Sequence, residues 1–279
     1  MTNPIADPLV EVPDTDALSD LVVLDASPSG VAVVTINRPD RKNAFNAEVI
    51  AALAQHFETL RDADGVRIVF LRGAGGAFSA GADLEWMKSA ATFTKDENRQ
   101  DAMALADMLL ALRELPQFTV ALVEGPAFGG GAGLVAACDY AVATAGAKFA
   151  FSEVRLGLVA ATISPHVVGA IGPRRAKSLF ATGRMFDAAF AEKIGLVDEV
   201  VATAAELDDA MERLAEEIMA CAPGAVAKSK ALVDDVTGVP MDEELLEMTA
   251  KLIADQRLGD EGQEGVAAFL EKRKPGWAL

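Results

Sequence analysis

Two segments of this chain share one rhythm: an apolar strand run, a turn of small residues, then the start of a helix. They are Ile68–Asp83 and Val120–Gly133. The first turn reads Arg72-Gly73-Ala74-Gly75-Gly76-Ala77-Phe78-Ser79-Ala80-Gly81-Ala82-Asp83-Leu84, and the second Glu124-Gly125-Pro126-Ala127-Phe128-Gly129-Gly130-Gly131-Ala132-Gly133-Leu134. Small residues let other groups approach the main chain closely and permit positive φ. A helix start carries unpaired N–H donors and a partial positive charge. Two such donors from different turns can converge on one oxygen and stabilise charge developing on a carbonyl. Either turn alone reads better as a tight connection, and the two together shift that balance only modestly.

The rest of the chain supplies a frame for these turns. Residues 1–19 lack apolar periodicity and read as a flexible arm. Leu21–Asp25 and Val31–Asn37 are β-branched runs separated by Ser-Pro-Ser-Gly, a hairpin signal. Asn46 is positioned to cap a helix through Leu60, with Val49, Ile50, Leu53 and Phe57 at helical spacing. Leu84–Leu115 reads as helix, interrupted near Thr92–Lys95 and stopped by Pro116. Phe118–Val123 and Tyr140–Ala143 read as strands, with helix from Leu134 to Cys138 between them. From Ser164 the pattern is helical, over 164–171, 173–181, 187–194, 204–221, 223–236, 241–257 and 260–272. Strands alternating with helices, followed by helices alone, predict α/β layers with a helical C-terminal extension.

Composition excludes several classes. The 279 residues carry a formal net charge of −17, which argues against nucleic acid and anionic membranes as partners. The most apolar stretch, Val120–Cys138, contains Glu124, Pro126 and several glycines, and so is not a membrane span. The first residues lack the pattern of a signal peptide, and the expected location is cytoplasmic. Cys138 and Cys221 stand apart from each other and from His56 and His166, so no zinc spacing exists; both read as reduced thiols buried as small hydrophobes.

A carboxylate offers itself for proton transfer. In Phe149-Ala150-Phe151-Ser152-Glu153-Val154-Arg155, Glu153 follows two aromatics at a strand end. Desolvation there would raise its pKa toward the useful range, whereas pairing with Arg155 on the surface would make it a bystander. Two rival readings fail on detail. Gly131-Ala132-Gly133-Leu134-Val135-Ala136 satisfies a dinucleotide fingerprint, but Glu124–Gly130 separates it from its strand. Ala77-Phe78-Ser79-Ala80-Gly81 lacks the first glycine of a hydrolase elbow.

Phe78-Ser79-Ala80-Gly81-Ala82-Asp83-Leu84 resembles the first signature of the crotonase (enoyl-CoA hydratase/isomerase) superfamily, and Gly125–Asp139 its second. The similarity runs from Ile36-Asn37-Arg38-Pro39 and Asn43-Ala44-Phe45-Asn46 through Gly195-Leu196-Val197 to Lys272-Arg273-Lys274-Pro275. It implies a spiral of repeated ββα units over 20–200 and a helical trimerisation region over 201–279, assembled as a homotrimer or a dimer of trimers. It implies that the N–H groups of Ala82 and Gly130 hold a thioester carbonyl, that Glu153 is the acid/base, and that no cofactor is needed, coenzyme A being part of the acyl-CoA substrate. Lys42, Ala44, Ala80, Gly81, Asp83 and Leu84 would flank the nucleotide end, with Arg41 and Lys42 the nearest cations for its phosphates. Gly129 and Gly133 belong to the same cleft. Trp86 and Met87 either line the acyl pocket or pack on a helix face. The second glutamate of two-glutamate hydratases falls at Gly133. Ser152–Leu158 and Ile163–Val168 are similar to bacterial methylglutaconyl-CoA hydratase-like members, which makes hydration with Glu153 alone the favoured expectation, with isomerisation beside it. Asp139 or His166 could supply the missing group, and a thioester hydrolase or non-catalytic CoA-ester-binding scaffold is the reading from another class.

Overall fold

The structure is a computed structural model that describes residues 20–278; the arm read at residues 1–19 lies outside the described residues. Strand β1 (Val22–Ala26) returns antiparallel along β2 (Val31–Ile36), with Val22 opposite Ile36, as the Ser-Pro-Ser-Gly turn implies. Helix α1 (Ala47–Arg61) begins where Asn46 accepts a hydrogen bond from the Val49 amide at 3.0 Å. Strand β3 (Ile68–Gly73) leads into α2 (Leu84–Ala90) and α3 (Lys95–Arg113). These two helices are separate because Thr94 and Glu97 form a capping box that starts α3 afresh.

Next come β4 (Phe118–Val123), β5 (Pro126–Phe128), α4 (Gly130–Ala137), β6 (Tyr140–Thr144) and β7 (Lys148–Ala150). The chain continues through α5 (Ser164–Ile171), α6 (Pro173–Thr182), β8 (Phe186–Asp187), α7 (Ala188–Ile194) and β9 (Glu199–Val201). It ends in α8 (Ala204–Met219), α9 (Pro223–Val236), α10 (Glu243–Leu258) and α11 (Asp260–Glu271).

The main sheet has the order β1-β2-β3-β4-β6-β9 and is parallel apart from β1. Its central strands are covered on both faces, which is why they read as unbroken apolar runs. Side chains alternate between the layers. Val69, Leu71, Ala121 and Val123 join the large core with α1, α3 and α4, while Ile68, Phe70, Val120 and Leu122 meet Leu207, Ala210 and Leu214 of α8. A smaller sheet, β5-β7-β8, stands beside the site.

The sequence reading missed β5, β8 and β9, each three residues or fewer and too short to show alternation. The helix start read at the end of the second glycine turn, continuing over Leu134–Cys138, is α4, which starts at Gly130 inside the glycine run. Cys221 corrects a further expectation: it is exposed, with its thiol donating to the Glu217 carbonyl at 3.4 Å, while Cys138 is half-buried against the core. Among the described residues, no helix is long and apolar enough to cross a membrane.

Candidate active site

The turn after β3 is held by the segment Arg38–Phe45. The buried Asn43 side chain donates to the carbonyls of Ala74 (2.9 Å) and Ala77 (2.6 Å) and accepts from the Arg38 amide (2.8 Å). Lys42 and Asn43 both adopt left-handed backbone, φ 49° and 55°. This bend lets the Lys42 carbonyl accept from the Ala80 amide at 2.9 Å. Two residues on from Asn43, Phe45 donates to the Gly81 carbonyl and accepts from the Asp83 amide, both at 2.7 Å. Those bonds bracket Ala82 in a single parallel bridge with Phe45. The bracketed residue turns its own N–H away from its partner. The Ala82 N–H accordingly has no acceptor among the described residues, and Ala82 is exposed.

Asp83 anchors the start of α2. Its carboxylate accepts from the amides of Glu85 (2.8 Å) and Trp86 (3.4 Å), capping the helix, and from the Arg38 guanidinium at 3.0 Å. Arg38 also donates to the Ala44 carbonyl at 2.6 Å. Burial alone would raise the Asp83 pKa, but the two amides and Arg38 outweigh it and hold the carboxyl below the usual range.

The second turn runs beside the first, backbone against backbone. Phe78 donates to Glu124 (2.7 Å), Ser79 to Pro126 (2.9 Å) and Phe128 to Ser79 (2.9 Å). A Cβ on Gly81 would lie 2.9 Å from the Phe128 oxygen, and one on Gly131 would lie 2.8 Å from Ser79 Cβ. Small residues are therefore required by contact between the turns. Gly129 takes φ 51°, and Gly130 opens α4. The first amides of a helix have no intrahelical acceptor, and the Gly130 N–H finds none elsewhere among the described residues. The Phe45 ring packs against Gly130: a Cβ there would meet Phe45 Cε2 at 2.9 Å.

Glu153 reaches this place from the small sheet. Strands β5 and β7 pair in parallel, and Gly129 donates to the Ala150 carbonyl at 2.9 Å. The chain then bends through a 3-10 turn, Glu153–Leu156. Phe151, beside the bend, is anchored edge-on to Phe180 at 5.3 Å. Glu153 Oε1 ends 3.4 Å from where a Cβ on Gly129, the residue before Gly130, would stand. Its Oε2 is buried without a hydrogen-bond partner among the described residues. Burial raises its pKa above the usual carboxylate range, only partly offset by its own backbone amide. Arg155 donates to the Gly183 carbonyl at 2.8 Å, so the surface pair with Glu153 does not form. An apolar cavity of about 590 Å³, lined by Phe151, Glu153, Leu158, Val168 and Phe180, adjoins the carboxylate.

The remaining expected residues divide. Gly81, Ala82, Gly129, Gly130 and Glu153 come together, with Ala80 and Asp83 holding the first turn. Lys42 is an exposed rim residue, whereas Ala44 is buried and serves through its carbonyl. Leu84 is exposed on α2. Trp86 packs against the core and donates its indole N–H to Asp101 at 3.1 Å, tying α2 to α3. Arg41 is engaged with Asp40 and Glu85. Gly133 is closed over by Ile163, whose Cγ2 lies 2.3 Å from the position of a Cβ there.

Neither substitute for a second carboxylate reaches Glu153 in this arrangement. Asp139 lies beyond the far end of α4, bound by the Thr119 amide and hydroxyl (2.8 Å each) and by Lys230 (2.5 Å). His166 is buried on α5, where desolvation and then the charge of Arg113 lower its pKa. The sequence assigned no role to Arg38, Phe45 or Ile163, and took Asn43 only as part of the Lys42–Ala44 segment beside the nucleotide end.

Two amides without acceptors among the described residues and a desolvated carboxylate thus stand on a largely parallel α/β frame. The family model for enoyl-CoA hydratase/isomerase matches residues 26–278. A Thermus thermophilus protein classed with the enoyl-CoA hydratases is 38% identical over 245 residues, covering 88% of this chain and 96% of the relative. A Legionella pneumophila crystal structure classed as an enoyl-CoA hydratase/isomerase (crotonase) is 43% identical with a TM-score of 0.87, covering 92% of this chain and 98% of that one. The crystal structure of an enoyl-CoA hydratase from Shewanella pealeana is 35% identical with a TM-score of 0.90, covering 94% and 97%. The chain belongs to the enoyl-CoA hydratase/isomerase family, a group of enzymes acting on acyl-CoA thioesters.

Proposed function

We propose that this enzyme hydrates a 2-enoyl-CoA to a 3-hydroxyacyl-CoA, with Glu153 as the single acid/base. The observation that carries this reading is the placement of Glu153 Oε1 against Gly129, one residue from a Gly130 amide that lacks an acceptor among the described residues. The thioester oxygen accepts from Ala82 and Gly130. Ionised Glu153 takes a proton from water as the water oxygen bonds to Cβ; the Cα=Cβ electron pair moves toward the thioester and builds enolate charge on its oxygen. The amides are worth most at that stage, because their interaction strengthens as charge develops. Protonated Glu153 then returns its proton to Cα. A pKa raised by burial suits both halves of this cycle.

Coenzyme A enters as part of the substrate, and the exposed Lys42 is positioned at the rim for its phosphates. A second reading, isomerisation of a 3-enoyl-CoA to the 2-enoyl-CoA, is favoured by the closed wall at Gly133, since one carboxylate suffices to move a proton between carbons. The reading includes a cytoplasmic homotrimer or dimer of trimers. Exposed Leu246, Ile253, Leu258, Phe269 and Leu270 on α10 and α11 support self-association.

The test is a panel of 2-enoyl and 3-enoyl-CoA thioesters followed by loss of conjugated absorbance and by product mass. Gain of one water on 2-enoyl substrates is expected. Isomerisation of 3-enoyl substrates without hydration would replace the first reading by the second, and turnover of neither would remove both.

A further inference from the structure

Gly129 and Gly133 lie one helical turn apart at the start of α4, linked by a hydrogen bond from the Gly133 amide to the Gly129 carbonyl at 3.0 Å. Gly129 is the N-cap of α4, with left-handed backbone at φ 51°, and Gly133 lies inside the helix. The groups standing against these two positions differ in kind. Opposite Gly129 is the carboxylate of Glu153, 3.4 Å from an ideal Cβ. Opposite Gly133 is Ile163, with Cγ2 at 2.3 Å and Cβ at 2.9 Å from an ideal Cβ. Contacts below about 3 Å are not survivable without movement, and the nearer atom here belongs to a stiff β-branched side chain. Ile163 cannot simply swing aside. It is 1% exposed within the main core, and its carbonyl accepts the Val167 amide at 3.1 Å at the entry to α5. The missing side chain at position 133 has thus left no vacancy, because a hydrocarbon fills its room.

We infer that Ile163 is the residue that restricts proton handling at this site to Glu153. It occupies the room that a side chain at 133 would need and presents methyl groups there. A carboxylate cannot be added at that position while Ile163 remains, and no water can be held from that side by a polar atom of residue 133 or 163. Any proton given to or taken from the substrate beside α4 passes through Glu153. This inference rests on the acyl-thioester reading for its chemistry, but the packing it depends on can be tested without it.

The test compares Gly133→Ala, Ile163→Ala, Gly133→Ala with Ile163→Ala, Gly133→Glu, and Gly133→Glu with Ile163→Ala. Melting temperature, kcat, KM and the hydration-to-isomerisation ratio are read on the full chain. Gly133→Ala is expected to lower the melting temperature, and adding Ile163→Ala is expected to recover part of that loss, a non-additive result diagnostic of direct contact. Gly133→Glu alone is expected to be as damaging as Gly133→Ala. Gly133→Glu combined with Ile163→Ala is expected to raise hydration about tenfold or more over Ile163→Ala alone, as a second positioned carboxylate should, and to shift the product ratio toward hydration.

Additive melting shifts, or a Gly133→Ala variant as stable and active as the parent, would overturn the inference. So would a double variant with recovered stability but an unchanged product ratio, which would make Ile163 a packing residue alone. If the parent enzyme turns over no enoyl thioester while the melting shifts remain non-additive, the plug stands and the acyl-thioester reading falls.

Discussion

Phe45 holds Ala82 in a single parallel bridge, and its ring lies 2.9 Å from where a Cβ on Gly130 would stand. One buried residue therefore touches both of the turns proposed to receive the thioester oxygen. Phe45→Ala would remove that contact and open a core cavity, a change that costs about 3–5 kcal/mol in typical cores. Phe45→Leu keeps most of the volume while losing the flat face against Gly130. It is expected to melt close to the parent but to lose kcat more than it raises KM, measured by thermal denaturation and steady-state kinetics.

Gly130→Ala tests the same pair of amides from the other side. The added Cβ would meet the Phe45 ring at 2.9 Å, so the start of α4 must shift and its amide with it. Loss of one such donor typically lowers kcat by about 10²–10³. A fall of that order is expected, with thioester affinity largely retained in a binding titration.

Asp83 gives a stability prediction with a defined pH window. It caps α2 and pairs with Arg38, and its pKa is held below the usual carboxylate range. A depressed pKa contributes stability above the ordinary carboxylate pKa, and that stability is lost as pH falls through the lower folded value. Asp83→Ala is expected to cost about 1–2 kcal/mol for the cap, with a further loss from the unpaired Arg38. The melting difference from the parent is expected at neutral pH and should shrink in acid.

Glu153 has the opposite sign. Its pKa is raised by burial, so the folded state favours the protonated form. Relative to the unfolded chain, its contribution is most favourable below the ordinary carboxylate pKa and declines as pH rises through the folded value. Glu153→Gln is therefore expected to melt above the parent at neutral pH and to lose that advantage in acid. In the parent, kcat/KM for 2-enoyl thioesters should rise with pH through one ionisation above the usual carboxylate range.

Much of the frame was legible because it is written in local patterns. Asn46 marked the start of α1, the break before Lys95 marked the capping box, and the helices from Ser164 onward followed their apolar spacing. The glycine turns could be read as places of close approach, and the resemblance supplied Ala82, Gly130 and Glu153. What stayed hidden was contact between segments distant in sequence. Asn43 reaches the Ala77 carbonyl, Phe45 reaches Gly130, and Ile163 closes over Gly133. None of these is encoded by a period or a spacing. The short strands β5, β8 and β9 were likewise invisible, since their pairing is fixed by what lies opposite them.

Turnover and binding by Glu153→Gln, measured on one preparation, address the proposed chemistry most directly. The substitution keeps the size of the side chain and removes its ability to exchange a proton. A fall in kcat of about 10²–10⁴ is expected, with the dissociation constant for an unreactive saturated acyl-CoA unchanged. Activity equal to the parent would show that protons move through some other group and would contradict a site built on Ala82, Gly130 and a single carboxylate.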